Sequence, residues 1–217
     1  MSLKMFAEEA LADFSTTAAI SPSSPQLVAA MLEPLPLAGA RVVVELGAGT
    51  GVMTRALLSE MPPQSTLLVF EINQRFYNYL KAHFSDPRLV LIHASAEHVD
   101  LELRQRGFTE VEAVLSSLGL GLMSERERQA IFERLVPFLS DRTVVTQYQY
   151  IHALQCKNGR LSRLDLRPLL NRYFGSVQSK LIWRNLPPAF VFACRRNPVS
   201  SSVRADKAKR SRETRTR

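Results

Sequence analysis

The chain has 217 residues, 46% of them hydrophobic and 22% charged, which suits one ordinary domain with extensions and a sizeable core. Its net charge of +8 is unevenly placed: from Arg195 onward nine Lys or Arg face only Asp206 and Glu213, so the first 194 residues carry about one of those eight charges. Two cysteines exclude a disulfide scaffold, the absence of any apolar run near the roughly 20 residues of a bilayer span excludes a transmembrane segment, and no secretory signal opens the chain; a soluble or peripheral, intracellular protein is expected.

Residues 3–14 read as a short helix with Leu3, Phe6, Ala10, Leu11 and Phe14 near one face. Ser21-Pro22-Ser23-Ser24-Pro25 then breaks the chain, with Ser24 as N-cap and Pro25 as the first position of a helix to about Leu32. From Arg41 the pattern alternates. Strands are expected at Val42–Val44, Thr66–Phe70, Leu89–Ile92, Val111–Leu115 and Thr143–Tyr148, and helices at Thr50–Ser59, Gln74–Phe84 and Glu125–Phe138. A helical stretch near Arg163–Phe174 precedes two β-rich segments, Val177–Trp183 and Phe190–Cys194, which a short connection makes antiparallel. This order predicts an α/β, Rossmann-like fold: a seven-stranded, mostly parallel sheet with an antiparallel last strand and helices on both faces. Three regions follow: a helical extension or lid over 1–37, a nucleoside-binding domain over 38–196, and a basic tail over 197–217 whose Ser, Lys and Arg composition predicts disorder.

The segment Glu45-Leu46-Gly47-Ala48-Gly49-Thr50-Gly51 follows the first strand and opens a helix, where glycines allow a tight turn and close approach of a ligand. Dinucleotide enzymes use a similar turn, but the spacing here is G-x-G-x-G, and a carboxylate at Glu45 would oppose a pyrophosphate. S-adenosylmethionine carries an ammonium and a sulfonium and no phosphate, so Glu45, Gly47, Ala48, Gly49 and Gly51 are read as its binding turn. Glu71 closes the second strand, 20 positions after Gly51, where a carboxylate can accept both ribose hydroxyls; Ile72 beside it joins the site. His93-Ala94-Ser95-Ala96-Glu97 follows the third strand, and Ser95, Ala96 and Glu97 are the candidate adenine contacts, with Ser95 bonding the exocyclic amine. Ser116 completes the cofactor set. The four histidines, at 83, 93, 98 and 152, are scattered, and no metal site is expected.

Five segments together resemble the bacterial phospholipid N-methyltransferases: Ile20-Ser21-Pro22-Ser23-Ser24-Pro25, the glycine turn, Ser116-Ser117-Leu118, Gln147-Tyr148-Gln149-Tyr150 and Trp183-Arg184-Asn185-Leu186-Pro187-Pro188-Ala189. The resemblance covers residues 14–195 and implies a class I methyltransferase that methylates phosphatidylethanolamine towards phosphatidylcholine, as a peripheral enzyme on the cytoplasmic face of the membrane. The rRNA adenine dimethyltransferases look similar, but carry Asn-Leu-Pro-Tyr-like residues after strand four, where this chain has Ser116-Ser117-Leu118-Gly119. An RNA adenine or small-amine substrate is the alternative. In the leading reading Tyr150, Tyr148 and His152 are the catalytic candidates: the aromatic faces attract an ammonium, and His152 takes the proton of the attacking amine. Ser116 and Leu118, after strand four, offer carbonyls to that amine, and Ser117 between them joins the substrate candidates. Ser23 and Ser24, at a helix start, and Arg184 with Trp183 are candidates for the lipid phosphate; Ser23 and Ser24 can instead hold the cofactor carboxylate. Residues 3–14 carry Glu8, Glu9 and Asp13 against Lys4, so this helix either binds a membrane or packs as a lid. The basic tail suits an anionic lipid surface, RNA or simple solubility. A monomer is expected.

Overall fold

Val42, Val43 and Val44 carry no polar side chain, and β1 (Val42–Leu46) runs through the middle of a sheet covered on both faces, all five of its residues buried. The computed structural model describes residues 23–157 and 160–196; the expected helix at 3–14 and the basic tail lie outside the described residues. The remaining strands of the main sheet are β2 (Thr66–Phe70), β3 (Leu89–Ile92), β4 (Val111–Ser116), β5 (Leu139–Tyr150), β8 (Ser176–Ile182) and β9 (Ala189–Arg195). They lie in the order β3-β2-β1-β4-β5-β9-β8. Strands β1 to β5 are mutually parallel, and β9 inserts antiparallel between β5 and β8. This is the Rossmann-like sheet, mostly parallel with an antiparallel last strand, that the strand–helix alternation predicts.

Helices α1 (Pro25–Leu32), α2 (Val52–Glu60) and α3 (Gln74–His83) cover one face. Leu27, Met31, Leu57 and Leu80 there pack against Val43, Leu67 and Val144 of the sheet. Helices α4 (Val99–Gln105), α5 (Glu125–Leu135) and α6 (Arg167–Tyr173) cover the other through Leu103, Phe132 and Leu170. Local chemistry sets the helix starts. The Ser24 hydroxyl accepts the Leu27 N–H (3.1 Å) ahead of Pro25. Ser124 and Glu127 form a reciprocal capping box on α5.

Three details depart from expectation. Helix α4 was not foreseen, although Val99 and Leu103 are buried four residues apart behind Asp100 and Glu102 in its first turn. Strand β5 starts at Leu139 rather than Thr143, because an irregularity in its pairing with β4 shifts the register between Val111 and Ala113. Thr143 fastens that step, donating to the Val111 carbonyl (2.7 Å) and accepting from Ser140 N–H (2.8 Å). Ahead of the helical stretch expected near Arg163–Phe174 lies a small antiparallel pair that was not foreseen, β6 (Leu154–Lys157) and β7 (Arg160–Arg163), and the helix itself runs from Arg167 to Tyr173 with Pro168 in its first turn.

Candidate active site

The carboxyl ends of β1 to β5 share one edge, and the glycine turn after β1 is built there. Gly47 donates to the Phe70 carbonyl (2.8 Å) and Gly51 to that of Ala48 (2.9 Å). Gly47, Gly49 and Gly51 all have positive φ, at 79°, 55° and 80°. Glu71, nearly buried at the end of β2, ties the turn down: one carboxylate oxygen accepts Gly49 N–H (2.8 Å) and the other Asn73 N–H (2.7 Å). Each oxygen keeps a further lone pair. A side chain at Gly49 would meet no protein atom within 4 Å, so the turn leaves its outer side open.

Glu45 differs from its expected role in one respect. It is 0% exposed, and its carboxyl points at α2, accepting the Thr54 hydroxyl (2.7 Å), while its second oxygen is buried with no partner. Burial, with the Glu71 charge adding to it, pushes the carboxyl up to about 8, so it is neutral at pH 7 rather than the standing charge inferred from sequence. Between its ordinary value of 4.5 and about 8, the unfolded chain releases a proton that the folded chain keeps, so stability falls as pH rises through this window. Glu45→Gln mimics the neutral carboxyl. The wild-type melting temperature is therefore expected to fall more steeply from pH 5 to pH 8 than that of Glu45→Gln; parallel thermal-melt profiles would contradict it.

After β3, Ser95 caps the short 3-10 turn Ala96–His98, its hydroxyl accepting Glu97 N–H (3.2 Å) and keeping its own hydrogen to donate. Ala96 is buried, and the Glu97 carbonyl accepts from Arg134. His93 bonds the Ile72 carbonyl (3.1 Å) and lies against the Tyr77 ring, so it braces the edge rather than entering a site. Ile72 itself is 68% exposed, a large apolar side chain left bare beside Glu71.

After β4, Ser116 is buried opposite Gln147 of β5. The Leu118 carbonyl accepts both Leu120 N–H (2.8 Å) and the Gln147 side-chain amide (3.1 Å). Both its lone pairs are used, so Leu118 does not offer the free carbonyl expected for a substrate amine; its side chain instead packs 3.1 Å from where a Cβ on Gly47 would stand. The Ser117 hydroxyl is buried without a partner. Gln147, which the sequence reading quoted but assigned no role, is what fixes this loop to β5.

Tyr148, Tyr150 and His152 follow at two-residue spacing along the end of β5, on one side of it. The tyrosine rings meet edge-on with centroids 5.3 Å apart, and His152, exposed just past the strand, stacks on Tyr150 at 5.7 Å. Burial raises the Tyr148 hydroxyl well above the ordinary tyrosine value, with contact to Tyr150 adding to the shift, so it is a neutral hydroxyl at every physiological pH.

Next to this ladder, the connection from β8 to β9 returns to the same edge, since Ile182 pairs with Ala189 and Ala189 with Tyr150. Asn185 in that connection is buried. Its carbonyl oxygen accepts Ser24 N–H (3.0 Å) and its amide donates to Pro187 O (2.7 Å). This joins the Ser23–Ser24 helix start to the Trp183–Pro188 turn across 161 positions of sequence. Ser24's hydroxyl accepts the cap bond of its helix and keeps its own hydrogen to donate, while Trp183 and Arg184 are exposed. Among the described residues, no cluster of His, Cys, Asp or Glu is arranged to hold a metal ion, and no helix is long and apolar enough to cross a membrane.

Solved structures share this architecture at low identity. The 1,6-didemethyltoxoflavin-N1-methyltransferase of Burkholderia thailandensis, solved with S-adenosylhomocysteine, superposes with a TM-score of 0.60 at 16% identity over 91% of each chain. A TehB-like S-adenosylmethionine-dependent methyltransferase of Corynebacterium glutamicum gives 0.57 at 13% identity, over 89% of this chain and 100% of that one. Residues 43–141 match the methyltransferase-domain family model. Sheet order, glycine turn and this match define a class I methyltransferase whose methyl donor is S-adenosyl-L-methionine. Among curated proteins, an ornithine lipid N-methyltransferase of Singulisphaera acidiphila is 26% identical over 182 residues, covering 82% of this chain and 88% of that one.

Proposed function

We propose that the protein methylates the amine of a membrane lipid, with phosphatidylethanolamine and its methylated intermediates as the first candidates. The observation that carries the reading is the coincidence, at one edge, of the nucleoside turn, the Tyr148–Tyr150–His152 ladder and the Ser24–Asn185 junction, which unites the two segments most particular to the lipid enzymes. The relative that acts on ornithine lipid supports an alkyl-amine headgroup, and adds ornithine lipid as a second candidate.

The bound cofactor supplies an activated methyl group for in-line displacement, so the chain has to position an amine and keep it neutral. In this reading Glu71 accepts the ribose hydroxyls on the lone pairs left over from Gly49 and Asn73. Gly47, Ala48, Gly49 and Gly51 let the backbone approach, Ile72 gains cover on binding, and Ser95 with Ala96 and Glu97 meets the adenine. Glu45, whose second carboxyl oxygen is buried without a partner, would supply an acceptor for the cationic end of the cofactor. Ser116 and Ser117 line the amine side, the Ser117 hydroxyl being an available acceptor. Tyr150, backed by Tyr148, faces the ammonium, whose attraction to an aromatic ring persists as methyl groups replace N–H donors. His152, exposed at the mouth, passes the amine proton to water. Holding nitrogen and methyl carbon in line supplies about 7–11 kcal/mol of the acceleration.

The test is methyl transfer from labelled S-adenosylmethionine into vesicles that contain phosphatidylethanolamine, ornithine lipid or neither, with total RNA in a parallel tube. Label in the aminolipid fraction is the expected result. Label in RNA alone, or in no acceptor while the cofactor binds, would remove the lipid reading.

A further inference from the structure

Exposed large hydrophobics are few among the described residues, and they are not scattered evenly. The two most exposed, Leu186 at 80% and Trp183 at 70%, lie three positions apart on the β8–β9 turn, with Arg184 between them. No ion pair engages Arg184 among the described residues. The turn holds these side chains out on a stiff frame. Buried Asn185 spends its oxygen on Ser24 N–H and its amide on Pro187 O, and Pro187-Pro188 limits the backbone beyond. Two large apolar side chains held out close together on one fixed turn form the kind of exposed apolar patch that meets a partner outside the chain.

We infer that the Trp183–Leu186 turn is an interfacial anchor, which seats Trp183 and Leu186 at the headgroup–acyl boundary of a lipid bilayer with Arg184 on a lipid phosphate. The inference rests on the lipid reading of the site. Chemistry selects the partner. Tryptophan is the side chain that settles at a membrane–water boundary, a neighbouring leucine reaches the acyl region, and an unpaired guanidinium suits a phosphate oxygen. Position selects it too. The turn leaves the sheet at Ile182, two strands from Tyr150 and therefore about 10 Å from the end of β5. A bilayer touching Trp183 then lies across the mouth through which a lipid amine must enter.

Trp183 is the single tryptophan of the chain, so its fluorescence reports on this turn and on nothing else. The full-length protein is mixed with vesicles of phosphatidylethanolamine and phosphatidylglycerol. The expected result is emission moved to shorter wavelength, loss of quenching by acrylamide and gain of quenching by lipids brominated near the top of the acyl chains. Leu186→Glu, at an exposed position, is expected to lower vesicle partitioning by at least about tenfold. It should leave turnover of detergent-dispersed aminolipid at the wild-type level. Unchanged Trp183 emission and acrylamide access, whether or not the protein sediments with vesicles, overturns the anchor. So does Leu186→Glu partitioning like wild type. Labelled methyl in detergent-dispersed lipid with no Trp183 response would sink the anchor and keep the lipid function; a full Trp183 response with no lipid methylated would do the reverse.

Discussion

Glu71→Ala is expected to raise the Kd for S-adenosylmethionine by about 10- to 150-fold. Hydrogen bonds to a charged group contribute about 1.5–3 kcal/mol each, and every 1.4 kcal/mol is a factor of ten. The lower bound corresponds to losing one ribose contact. The upper bound corresponds to losing both contacts at about 1.5 kcal/mol each, and the loosened turn acts in the same direction, because the same carboxylate accepts Gly49 N–H at 2.8 Å and Asn73 N–H at 2.7 Å. Freed of both, the turn samples conformations that the nucleoside has to reorder on binding. Glutamine is a poor conservative replacement here. Its amide would set an N–H against one of those two backbone donors, and so would retain one bond at the cost of a repulsion.

The second large effect falls on folding. At Gly51, φ is +80°, and an added Cβ would stand 2.6 Å from the Phe84 ring and 2.7 Å from the fully buried Leu80 side chain. Gly51→Ala thus combines a left-handed backbone penalty of about 1–2 kcal/mol with an overpacking cost of about 1–3 kcal/mol. For a chain of this size the sum corresponds to a fall in Tm of about 4–20 °C. Gly49→Ala is the control: its φ is also positive, but its Cβ would point into open space, so only the backbone penalty applies. Differential scanning calorimetry of the two variants checks the ordering, and a Gly51→Ala variant that melts with or above Gly49→Ala would show the helix α3 contact to be unimportant.

The sheet was legible because its signals are local. Val42–Val44 and Leu67–Phe70 are apolar throughout, and Val111–Leu115 is apolar but for Glu112, as strands covered on both faces must largely be, and Ser24-Pro25 and Ser124-Glu127 announce helix starts within four residues. The glycine turn and Glu71 were legible as a pair through their spacing. Helix α4 is seven residues and hides its period, and the β6–β7 strands are only four residues each, too short for alternation to stand out in the sequence.

Long-range bonds were not legible. Nothing in the sequence says that Asn185 spends both arms on Ser24 and Pro187, or that Gln147 and Leu120 use up the Leu118 carbonyl. The state of Glu45 was hidden for a related reason. Its charge follows from complete burial against Thr54 rather than from residue type, and burial is a property of the assembled sheet and α2. Exposure of Trp183 and Leu186 likewise belongs to the finished turn: in the sequence their motif marked a resemblance, and only burial of Asn185 between them turns both side chains out to solvent.

A side-by-side calorimetric titration of S-adenosylhomocysteine into the wild type and Glu71→Ala, both shown folded by circular dichroism, addresses the nucleoside site itself. One molecule bound per wild-type chain, with affinity at least about tenfold weaker in the variant, is the predicted result. Equal affinities in two folded proteins, or no binding to the wild type, would contradict the placement of the ribose on Glu71.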